Sequence, residues 1–137
     1  MLTRRMLVRN LTTKFGENAG KIWHTLYQTG TTDEDQLQEY TKLSKKEMYA
    51  GIGWLARENK IKKVNNNYQL ESTNLTDSVG TTAGRVYKIL DIWDEADIIT
   101  LKKLSDSSEE NVFAALGWLA KEGKIQHENG KFTLNKK

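Results

Sequence analysis

A chain of 137 residues with a net charge of +3, no cysteine and two histidines excludes disulfides and thiolate metal sites, and a metalloenzyme is not expected. No apolar run approaches the roughly 18 residues of a membrane span, and the opening segment is too short and too interrupted for a secretory signal. The expectation is a soluble cytoplasmic protein with no membrane partner, no cofactor and no small-molecule substrate.

The basic excess is local. Residues 1–9 carry three Arg and no acid, residues 10–73 carry nine bases against eight acids, and residues 74–137 carry nine against ten. Sliding the chain along itself by 64 residues aligns 10–73 with 74–137 without a gap, and 20 of the 64 pairs are identical. The longest shared stretch is Gly53-Trp54-Leu55-Ala56-Arg57-Glu58-Asn59-Lys60-Ile61 against Gly117-Trp118-Leu119-Ala120-Lys121-Glu122-Gly123-Lys124-Ile125. The organisation is therefore a basic arm over 1–9 and two copies of one small domain over 10–73 and 74–137. Units of about 60 residues lie near the lower limit for an independent core, so the two are expected to support each other.

In chain order, the arm alternates basic and apolar residues without a clean period; Arg4 and Arg5 are candidate DNA contacts, as in arms that enter a minor groove. The first helix is predicted from near Glu17 to before Gly30, with Ala19, Ile22, Trp23 and Leu26 forming an apolar stripe. Its partner starts from a Thr82 cap and runs through Ala83, Val86, Tyr87 and Leu90, which assigns Trp23 and Tyr87 to the core. The second helix is predicted over Asp33 to Tyr40 and over Thr100 to Leu104, with Ile98 and Ile99 suggesting a short strand before it in the second repeat. Two capping boxes, Ser44-Lys45-Lys46-Glu47 and Ser107-Ser108-Glu109-Glu110, mark the start of the third helix only about three residues later.

At about 100° per residue, Met48, Ile52 and Leu55 share the core face of that third helix, as do Val112, Leu116 and Leu119. Ala50, Gly53, Trp54 and Arg57 point the other way, matched by Ala114, Gly117, Trp118 and Lys121. A Trp among small residues on the outer face of both copies marks a second packing surface. Either the indole is covered within its own repeat by the wing or the preceding segment, or it buries a contact between repeats or between chains. Each third helix leads into a hairpin: Lys60 to Val64 and Tyr68 to Glu71 in one copy, Lys124 to Glu128 and Lys131 to Leu134 in the other. Asn129-Gly130 is a two-residue hairpin signal, Asn65-Asn66-Asn67 is a looser equivalent, and residues 72–79 read as the linker.

With capping box, G-W-L-A-[R/K]-E-x-K-I run and hairpin following in order, the chain resembles the small prokaryotic winged helix-turn-helix family of unassigned function, twice over. The resemblance implies an α+β, mainly helical fold: two tandem winged helix-turn-helix domains, each of three helices and a β-hairpin wing. It carries DNA binding as an inference for the wider superfamily, whereas tandem winged helices also occur in protein assemblies.

Two function classes compete. In the first, a DNA-binding protein and transcription regulator contacts double-stranded DNA through helix three and the wing of repeat one. Lys42, Lys45 and Lys46 flank the helix start, Arg57 lies on its outer face, and Lys60, Lys62 and Lys63 load the first wing strand. Repeat two offers Asp106, Glu109 and Glu110 at matching positions, which suit a helix N-terminus but repel phosphate. In the second, the chain is a protein-interaction or assembly module, with a protein partner or a homo-oligomer formed through Trp54, Trp118, Ala50, Gly53, Ala114 and Gly117. An enzyme is not expected: no paired catalytic carboxylates, Gly-rich phosphate loop or nucleophile with a His partner is apparent, and His24 and His127 read as surface residues.

Overall fold

The computed structural model describes residues 11–135; the basic arm, with Arg4 and Arg5, lies outside the described residues. The first repeat runs α1 (Leu11–Thr29), β1 (Thr32–Asp33), α2 (Glu34–Thr41), α3 (Lys45–Arg57), β2 (Ile61–Val64) and β3 (Asn67–Leu70). The second runs α4 (Thr76–Trp93), β4 (Glu95–Ala96), α5 (Ile98–Ser105), α6 (Glu109–Lys121), β5 (Ile125–Glu128) and β6 (Lys131–Leu134). In each, the wing hairpin takes the short strand between helices one and two on its outer edge, giving antiparallel sheets of order β1-β3-β2 and β4-β6-β5. Both hairpins close through two-residue turns, with Val64 opposite Asn67 and Glu128 opposite Lys131.

The shared motif of the third helices is a helix stop. Asn59 and Gly123 adopt positive φ, 62° and 71°, and the next amides bond back to Leu55 and Leu119. Asn and Gly tolerate that conformation best, which turns the helix into the wing within two residues.

Several expected boundaries move. Helix α1 begins at Leu11 because Phe15 is buried in the core cluster of the second repeat and Leu11 packs against it. Helix α4 begins at Thr76, so Thr82 is a buried mid-helix residue and not a cap, and its hydroxyl bonds back to the Ser78 carbonyl. The segment joining the repeats is stitched down: Asn74 exchanges two hydrogen bonds with the backbone of Lys63, and Thr73 N donates to Asn59. Ile98 and Ile99 are helical, since Asp97 caps α5 by accepting from Thr100 N; the strand there is Glu95–Ala96. Of the two expected capping boxes, the one at Ser44 and Glu47 forms in full. In repeat two the cap is Ser108, accepting from Asn111 N.

Trp23 and Tyr87 are not core residues. Trp23 is half-buried and stacks on the exposed Tyr27, and Tyr87 is exposed beneath Lys124. The stripes that reach the core are Phe15, Ala19, Ile22 and Leu26 in α1 and Val79, Ala83, Val86 and Leu90 in α4. Where helices one and three touch, the repeats trade volume: a Cβ at Gly51 would sit 2.6 Å from Ile22 Cδ1, and repeat two has Ala115 and Val86 at the matching positions.

Candidate functional site

The two third helices lie against each other. Their starts meet, Lys45 Nζ 3.8 Å from Glu110 and Lys46 Nζ 3.9 Å from Glu109, and so do their ends. At the ends Arg57 Nε donates to Glu122 at 2.9 Å, and Lys121 Nζ is 3.7 Å from Glu58. Start beside start and end beside end means the helices run parallel. Their middles touch through backbone: a Cβ added at Gly53 would run into the Ala114 carbonyl, and one at Gly117 into that of Ala50. Ala50 and Ala114 are 0% and 5% exposed. Only glycine lets two helices approach so closely.

The outer face of α3, read from the sequence as a second packing surface and carrying the DNA candidate Arg57, is therefore covered by α6, and the equivalent face of α6 by α3. The physical reason is the small-residue pattern itself, which complements its own copy. Ala50, Gly53, Ala114 and Gly117 lie at this contact, and Trp54 and Trp118 flank it.

Neither explanation for the indoles stands alone. Trp54 lies on Gly16 of α1, where a Cβ would sit 2.8 Å from the ring, and Trp118 lies on Gly80 of α4. On the other side the sister repeat supplies a cation, with Lys121 Nζ 5.8 Å from the Trp54 ring and Arg57 Cζ 5.6 Å from that of Trp118. Beside each indole a groove opens between the first helix and the end of the third, about 240 Å³ in repeat one and about 340 Å³ in repeat two. Seven of the nine lining positions carry the same residue in both repeats, among them Trp54 and Trp118, Glu58 and Glu122, Lys60 and Lys124.

The lysines of repeat one do not form an unopposed basic patch. Besides the inter-repeat pairs, Lys60 is 3.7 Å from Glu58, Lys62 is 3.5 Å from Glu71, and Lys63 is 3.5 Å from Glu34. Lys42, at the left-handed cap of α2, is exposed and has no ion pair among the described residues. Exposed pairs of this kind hold their partners by only about 0–1 kcal/mol each, so the lysines remain exchangeable, but each brings a carboxylate to where a phosphate would lie.

A polar cluster in repeat one escaped the sequence reading. Glu34, the first residue of α2, accepts from Tyr49 Oη on α3 at 2.8 Å and from Tyr68 Oη on β3 at 2.9 Å, with Lys63 alongside. Burial raises both phenol pKa values, and the Glu34 charge raises them further. Repeat two has Ile98, Phe113, Phe132 and His127 at these positions. The offset of 64 could have shown this exchange, since all four positions change chemistry together.

Among the described residues no group of three or more His, Asp or Glu side chains is placed to hold a metal ion, and no helix is long and apolar enough to cross a membrane. His24 is exposed and His127 is half-buried against Phe132.

Comparison with curated proteins gives no match, and neither does comparison with solved structures. The family model for the winged helix-turn-helix domain (DUF2582) matches residues 11–74 and again residues 73–135. The chain belongs to that family, with two copies of its domain in tandem.

Proposed function

We propose that this chain is a non-enzymatic protein-interaction and assembly module, in which the two third helices are spent on each other and do not read DNA. The mutual burial of the Ala50-Gly53 and Ala114-Gly117 faces carries this reading, because a groove-reading helix needs that face free. Three exposed apolar residues of repeat two whose counterparts in repeat one are polar support it. Ile92, Trp93 and Ile99 are 74%, 59% and 75% exposed, where repeat one has Gln28, Thr29 and Asp35. Large apolar side chains left in water favour association with a partner.

The test is fluorescence anisotropy of a labelled random duplex across a salt series, with light scattering on the protein alone. The reading expects no saturable binding near physiological salt; the scattering mass then separates self-assembly from a foreign partner. Saturable binding with a steep salt slope, lost on changing Lys45 and Lys46 to Glu, would overturn it.

Such binding would establish the second reading, a DNA-binding transcription regulator contacting phosphates through Lys42, Lys45, Lys46, Arg57, Lys60, Lys62 and Lys63, aided by Arg4 and Arg5. The observation favouring it is that Lys45, Lys46 and Lys60 each keep more than half of their side-chain surface in solvent despite their pairs. The family's fold suits either partner.

A further inference from the structure

We propose that the charges at the starts of α3 and α6 are a pairing code, which makes helix three of one repeat a partner for the unlike repeat and a poor partner for another copy of itself. The proposal rests on the helix-three contact described above. Elsewhere that contact is blind to identity: Ala50 and Ala114, Gly53 and Gly117, Trp54 and Trp118, Glu58 and Glu122 are the same residue, and Arg57 and Lys121 have the same sign. At these positions two repeat-one helices would therefore fit as well as one of each. Among the charged residues that pair across the contact, positions 45 and 46 against 109 and 110 are the ones that reverse sign.

The geometry says what a like pair would meet. Lys45 faces Glu110 and Lys46 faces Glu109. Because 110 corresponds to 46 and 109 to 45, pairing repeat one with repeat one of a second copy would set lysine against lysine at both places. Pairing repeat two with itself would set glutamate against glutamate.

Helix dipoles sharpen the choice. Parallel helices bring two positive N-terminal ends together, and Lys45 and Lys46 add to that charge, so in a lysine-lysine pair only the capping-box Glu47 of each helix opposes it. In the unlike pair, Glu109 and Glu110 answer both the lysines and the two helix ends. Like charges at such spacing are destabilising by about as much as opposite charges stabilise. Pairing of repeat one with repeat two of another copy stays permitted, while like-with-like pairing is disfavoured.

The test uses the full chain in four forms: the parent, K45E/K46E with acid on both helices, E109K/E110K with base on both, and the fourfold charge swap. The first two variants build the like-charged pairs within one molecule. E109K/E110K is expected to lower the thermal midpoint by about 2 to 6 °C at low ionic strength and K45E/K46E by less, since the two helix ends partly offset its acids, with the fourfold swap recovering most of either loss and the differences shrinking in 1 M salt. Four equal midpoints, or a fourfold variant that loses the sum of the two, would overturn the code. A carbodiimide link between Lys121 and Glu58, which no variant touches, reports separately whether the helices are paired, so failure of the code is distinguished from failure of the contact.

Discussion

Gly53 rests against the carbonyl oxygen of Ala114, and Gly117 rests in the same way against that of Ala50. A methyl group at either glycine has no side chain to push aside, only backbone. Gly53→Ala is expected to force the helices apart and destabilise the fold by about 1–3 kcal/mol or more, even though alanine is the better helix former. Gly20, also mid-helix but with nothing within 4 Å of a built Cβ, is the control: Gly20→Ala should be neutral or stabilising. Denaturant midpoints that move alike for the two would contradict the close contact.

The Glu34 cluster predicts non-additivity. Glu34→Ile alone leaves the Tyr49 and Tyr68 hydroxyls without their acceptor, and a buried unpaired polar group costs about 1–3 kcal/mol. The triple change Glu34→Ile, Tyr49→Phe, Tyr68→Phe copies the Ile98, Phe113 and Phe132 set of repeat two and should regain most of that loss. Urea unfolding of the single and triple variants checks this; a triple variant worse than the single one would refute it.

A second compensation joins helices one and three. Gly51→Ala meets Ile22 Cδ1, whereas Ile22→Val removes that atom. The double variant, copying Ala115 and Val86, should be more stable than Gly51→Ala alone. Thermal melts of both, and of Ile22→Val by itself, give the coupling.

Burial against Phe132 lowers the His127 pKa. As pH falls, the unfolded chain therefore takes up this proton first, near the ordinary value of about 6.5. The contribution of the neutral ring is complete above that pH and is lost as pH drops through it towards the lowered folded value. His127→Gln should remove this part of the slope of stability against pH between about 7 and 5, which denaturant midpoints at several pH values measure.

The duplication, the three helices and the wing were legible because each rests on local chemistry: the Ser44 cap, the helix stop at Asn59 and Gly123, the turn at Asn129-Gly130. Much of what was not legible depended on the sister repeat. Phe15 reads as lying before the helix until the second core is there to receive it, and the reach of α1 back to Leu11 follows from that contact. Trp23 and Tyr87 fit the apolar period of a buried face, yet that face opens onto a groove. The outer Ala-Gly-Trp face announced a packing surface, but a charge count over each repeat could not show that the acids of one lie against the lysines of the other.

The parallel pairing of helix three with helix three is tested most directly by zero-length carbodiimide cross-linking of the dilute native chain, with peptide mapping of the single-chain product. The account predicts amide links joining Lys121 to Glu58 and Lys46 to Glu109, between repeats, alongside the Lys62 to Glu71 link within repeat one. A product that carries the Lys62 to Glu71 link and neither of the inter-repeat links would contradict it.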